Sequence, residues 1–134
     1  MKVVHINTFA GGGAGTAALR LHEELLQQDV ESSFVCMEDK SVTIKNSITL
    51  PFAQPTLWNK IRNKLNFPAM AEHIKERLIA KYQPQCEFLG TPYSDYKIED
   101  LCVVQEADII SLNWIPSFIN YPTFFKNIKK PIVW

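Results

Sequence analysis

The chain has 134 residues, 46% apolar and 21% charged, with a formal net charge of zero. That is the make-up of one globular domain with a sizeable core, and the balanced charge argues against nucleic acid as a partner. Three widely spaced cysteines (Cys36, Cys86, Cys102) form neither a disulfide framework nor a Cys/His zinc pattern, and suit a reducing cytoplasm.

Residues 2–7, Lys-Val-Val-His-Ile-Asn, predict a buried strand. No apolar stretch of secretory length follows it, and no run in the chain approaches the roughly 18 apolar residues of a membrane span. A glycine-rich loop comes next. Ala14, Ala17, Ala18, Leu21 and Leu25 then recur at helical spacing, which predicts a helix over about 14–28 with that stripe inward. Residues 32–37 predict a second strand, so the chain opens as a parallel βαβ unit. A short third strand is expected within 42–50. Helices are expected over 56–66 (Leu57, Ile61, Leu65), ended by Pro68, and over about 70–82 (Met70, Ile74, Leu78). Residues 83–96 read as irregular, and 98–105 as a short helix. Residues 107–114 read as a buried strand, 122–128 as a short helix, and a last strand starts near Pro131. The chain stops one step into that strand, so the expectation is a domain cut before completion. The fold class is α/β, with a mostly parallel Rossmann-like sheet flanked by helices.

The sharpest local signal is Gly11-Gly12-Gly13-Ala14-Gly15-Thr16, between the first strand and the first helix. Glycines allow positive φ and close backbone approach. The open N–H groups and positive dipole end of the helix favour an anion, usually phosphate. Thr16 stands where the GxGxxG dinucleotide pattern has its last glycine, and no Gly-Lys-Ser/Thr follows, so neither that motif nor a P-loop is present. The plain alternative is a turn that merely starts a helix.

Several segments together resemble the family 4 retaining glycosyltransferases of the GT-B fold, in the subgroup that makes bacterial surface polysaccharides. They are residues 1–7 with the glycine loop and Ala17-Ala18-Leu19-Arg20-Leu21-His22, then 92–98, 106–114 and 130–134. Thr16 and Asn113 stand where the family often has Arg and His. The resemblance implies the acceptor-side N-terminal domain, 1–134, of a two-domain cytoplasmic enzyme. It implies a sugar transfer from a nucleotide-sugar to a saccharide or lipid-linked acceptor, without metal or other cofactor. The nucleotide-sugar domain lies beyond Trp134 on this reading. The catalytic groups lie there too, and the piece alone is inactive. Gly11, Gly12, Gly13, Ala14, Gly15 and Thr16 would then face the donor diphosphate across the cleft.

Asn113 and Trp114 end a predicted strand, where cleft residues are expected. They read as an acceptor-site wall, with Trp114 stacked on a sugar face, or as a capping Asn and a core Trp. His5 reads as a buried, hydrogen-bonded structural residue, and His22 and His73 as surface or boundary residues. Residues 58–82 carry Lys60, Arg62, Lys64, Lys75, Arg77 and Lys81 against Glu72 and Glu76. They read as a solvated helix face, or as a peripheral contact with the anionic inner face of the membrane. Glu38 and Asp39 follow the second strand, where dinucleotide-binding domains place a ribose-binding acid. An NAD- or FAD-binding oxidoreductase domain is therefore the first rival reading, and a non-catalytic interaction module the second.

Overall fold

β-branched and apolar residues on both sides of the strand make Lys2–Ile6 (β1) an inner strand rather than an edge. The computed structural model describes residues 1–37, 43–52, 77–81 and 90–134. In it β1 pairs with β2 (Glu31–Met37) and with β4 (Ile109–Leu112); β3 (Ser47–Leu50) and β5 (Ile132–Val133) lie outside them. All four pairings are parallel, and the order is β3-β2-β1-β4-β5. Between the strands run α1 (Gly12–Gln27), a 3₁₀ turn (Ile98–Asp100), α2 (Cys102–Glu106) and α3 (Tyr121–Asn127). This is a Rossmann-like α/β sheet.

The period-two alternation of the strands sorts the core into two layers. Val4 and Ile6 share one face with Val35, Met37, Ile110 and Leu112. Ile98, Val104 and Phe124, from the 3₁₀ turn, α2 and α3, cover that face. On the other face Phe34 and Cys36 pack against Ala10 and Ala18, next to His5 and His22.

Several sequence expectations shift here. Of the apolar stripe of α1, Ala18 is buried and Leu25 half-buried, whereas Ala14, Ala17 and Leu21 are exposed, and Gly15 and His22 complete the buried side. The inward face is rotated by about one residue from the apolar stripe, because Gly15 must meet the loop before the helix and His22 has partners inside. His22 is thus fully buried: its Nδ1 lies 2.7 Å from Ser32 Oγ and its Nε2 lies 2.8 Å from the Lys45 carbonyl oxygen. His5 is buried as expected but carries no hydrogen bond on either ring nitrogen. The third strand is confined to 47–50. The helix expected over 98–105 divides at Leu101, whose extended backbone (φ −67°, ψ 133°) ends the 3₁₀ turn. The Leu101 carbonyl then receives the N–H groups of Val104 and Gln105, so this residue caps α2. The helix expected over 56–66 lies outside the described residues. Of the one over 70–82, residues 77–81 are described and helical.

α1 closes without the usual glycine. Val30 N–H reaches the Leu25 carbonyl at 3.0 Å and Asp29 N–H reaches Leu26 at 3.4 Å, the paired bonds of a Schellman end. Asp29 sits at the left-handed position, with φ 56°. An L side chain there costs about 1–2 kcal/mol, less for Asp than for most residues. Asp29→Gly is therefore expected to raise stability by about 0.5–1 kcal/mol in urea unfolding, with an unchanged m-value; a loss of stability would show that the Asp29 carboxylate has a stabilising role of its own.

Candidate functional site

The connections after β1 and β4 leave the sheet in opposite directions, one toward β2 and the other toward β5. Parallel sheets open a crevice at such a point, at the carboxyl ends of the strands. Here it is a cleft of about 460 Å³ lined by Asn7, Phe9, Gly11, Gly12, Gly13, Ala14, Gly15 and Trp114. None of these eight side chains is ionisable. Positive character in the cleft comes from main-chain N–H groups and the dipole of the 16-residue helix α1. Gly11 caps that helix and has no side chain of its own to occupy the first-turn amides.

Two glycines are required by geometry. Gly12 begins the helix at φ 76°, in the left-handed region. At Gly15 a Cβ would sit 2.6 Å from the Ala10 carbonyl carbon and 2.7 Å from the Phe9 carbonyl oxygen. Helix and loop touch backbone to backbone there. Gly13 faces open space.

Asn7 is the site residue that the sequence reading did not find. It is 1% exposed and lies one residue past β1. Its Nδ2 donates to the Phe9 carbonyl, in the glycine loop. Its Oδ1 accepts the Trp114 N–H at 2.6 Å, in the loop after β4. The Thr8 N–H adds a bond to the Trp114 carbonyl at 2.7 Å. One carboxamide thus joins both lips of the crevice. Its place at the end of the first strand was the available signal; an Asn at a strand end reads as a turn former, and only the fold brings Trp114 beside it.

The structure brings Gly11, Gly12, Gly13, Ala14, Gly15 and Trp114 together. Trp114 is partly exposed, and its ring lies 5.8 Å from Phe9, which is 6.3 Å from the exposed ring of Phe52. Thr16 is exposed on α1 and is not part of the lining. Asn113 is also outside the lining: its N–H bonds the Ile6 carbonyl at 3.1 Å, and its Nδ2 is buried without a partner. Glu38 and Asp39 lie outside the described residues. Among the described residues no group of three His, Cys, Asp or Glu side chains could hold a metal ion. The charged cluster of Lys2, Glu106 and Cys102 belongs to the opposite, amino-end edge of the sheet. There Glu106 accepts from Lys2 Nζ and from the Cys102 thiol, both at 2.9 Å. No family model, curated protein or solved structure matches this chain.

Alanine substitutions should rank by this geometry. Gly15→Ala forces backbone apart and is expected to cost about 3 kcal/mol, at the upper end of overpacking effects. Gly12→Ala costs about 1–2 kcal/mol for its positive φ, and Gly13→Ala is neutral or stabilising by up to about 1 kcal/mol. Asn7→Leu orphans the Trp114 N–H and the Phe9 carbonyl and should cost about 2–4 kcal/mol. Urea unfolding of the four variants checks the order; equal effects at Gly13 and Gly15 would contradict it.

Proposed function

We propose that this chain is the acceptor-side N-terminal domain of a GT-B retaining glycosyltransferase. In this reading it works with a nucleotide-sugar domain to move a sugar onto a saccharide or lipid-linked acceptor. One observation carries the reading: the neutral cleft at the strand-order switch point, where first-turn amides of α1 stand beside Trp114. A departing nucleoside diphosphate gains negative charge as the glycosidic bond breaks. Preorganised N–H groups in a cleft without competing side chains stabilise that charge more in the transition state than in the bound donor. The reading assigns no metal to this chain, since main-chain amides supply the positive pole. Trp114, with Phe9 behind it, offers a flat apolar wall to the C–H face of an acceptor sugar.

The catalytic groups are assigned to the partner domain, so this chain alone transfers no sugar. Among the described residues no helix is long and apolar enough to cross a membrane. Contact with the inner membrane face is assigned to 58–82, of which the described part, 77–81, is helical and carries exposed Arg77 and Lys81.

An NMR titration of the ¹⁵N-labelled chain with inorganic phosphate, UDP, UDP-sugars, GDP-sugars and NAD⁺ tests the reading. The expected result is shifts of the Gly12, Gly13, Ala14 and Gly15 amides and of Trp114 with a nucleotide or nucleotide-sugar. Half a binding site should give an affinity of about 1 mM, or roughly 4 kcal/mol. Saturable micromolar binding of NAD⁺ would overturn it in favour of an oxidoreductase domain. Silence of the glycine amides to every probe would leave an interaction module.

A further inference from the structure

Two histidines lie under α1, on the face of the sheet away from α2 and α3. His5, the penultimate residue of β1, is 0% exposed and has no hydrogen-bond partner on either nitrogen. Its ring lies 5.8 Å from that of His22, edge to face at 74°, and 6.4 Å from Phe34, nearly parallel. His22 is the fastening between layers. The Lys45 carbonyl can only accept, so Nε2 donates to it, and in a neutral ring Nδ1 accepts from the Ser32 hydroxyl. One side chain of α1 therefore ties the helix to β2 and to the turn before β3.

We propose that the His5–His22 pair is an acid-sensitive latch that fastens α1, and the glycine loop that begins it, to the sheet. A proton on His5 creates a cation with two N–H donors and no acceptor, beside a second imidazole. Among the described residues the groups around it do not compensate. From α1 the ionisable neighbour is His22, and Glu23 and Glu24 of that helix are exposed. On β2 the register neighbour is Phe34, followed on the same face by the Cys36 thiol; on β4 it is Ser111. None is a carboxylate that would hold an imidazolium. The cheapest relief is to open the α1 layer and admit water, because Ala18 and His22 are its fully buried side chains. The other face of the sheet, with its larger apolar core, stays closed.

The pH window follows from burial, the main cause, and from His22, the second, which together push the His5 imidazole down to about 4 from the usual 6.5. The unfolded chain takes up this proton first. The stabilising contribution of neutral His5 is complete above pH 6.5, falls as pH drops from 6.5 to 4, and changes no further below. Over that window the folding equilibrium constant should fall by on the order of a hundredfold through this site alone.

Urea unfolding between pH 8 and pH 4 of the wild-type chain and of His5→Leu, with hydrogen exchange and NMR of the His5 ring C–H groups, tests the latch. Carboxylates titrate in both proteins and cancel in the comparison. The expected result is a folding equilibrium constant that falls roughly a hundredfold further in the wild type than in His5→Leu. α1 amides should lose protection at a higher pH than β4 amides, and the His5 ring should stay neutral to below pH 5. Parallel pH curves overturn the proposal, as does simultaneous loss of protection in α1 and β4. Should His5→Leu not fold, the ring decides: titration near pH 6.5 in the folded wild type overturns the latch, and titration near 4 supports it.

Discussion

The contact on which this structure turns is the meeting of two backbones at Gly15. α1 can start close to the strand ends only because no Cβ stands between it and the carbonyls of Phe9 and Ala10. That closeness puts the first turn of α1 on the wall of the cleft, with Asn7, Phe9 and Trp114. The Asn7 carboxamide then holds both lips at a fixed separation, because one of its atoms serves each lip. A buried amide with both functions satisfied is rigid, and a rigid pair of lips is what preorganised anion binding needs.

The rest of the fold serves that geometry. The parallel sheet sends the loops after β1 and β4 apart, and its apolar face is sealed by the 3₁₀ turn, α2 and α3. Among the described residues the opposite face has the smaller buried core. α1 lies on it through small residues and a hydrogen-bonded histidine rather than through a wide apolar layer. Among the described residues, the element that carries the candidate anion site is fastened by few buried side chains, and such places are where local opening starts in folded proteins.

The strands were legible in the sequence, since Val-Val-His-Ile and Ile-Ile-Ser-Leu are short β-branched runs bounded by polar or glycine segments. The glycine loop was legible too, with its place at the first strand's end. The buried side of α1 was legible only in part, through Ala18 of the apolar stripe. Alanines at 14 and 17 mimic an apolar stripe, yet the helix turns Gly15, Ala18 and His22 inward. The reason is tertiary: a clash that only the loop backbone imposes, and polar partners for His22 in Ser32 and Lys45 that lie 10 and 23 residues away. The division of 98–105 at Leu101 and the glycine-free end of α1 at Asp29 were hidden likewise, because each depends on a single residue's φ and ψ. Asn7 escaped notice because its second partner, Trp114, is 107 residues distant. A pattern of spacing sees one strand end at a time, whereas this site is made by two.

Whether an anion sits on the first turn of α1 is open to direct test. A crystal structure of the chain with a nucleoside diphosphate bound addresses it most directly. The account predicts phosphate oxygens about 3 Å from the first-turn nitrogens of α1, with the Asn7 bridge intact and the Trp114 ring beside the ligand. A diphosphate bound elsewhere, with these nitrogens closed off by neighbouring carbonyls, would contradict it.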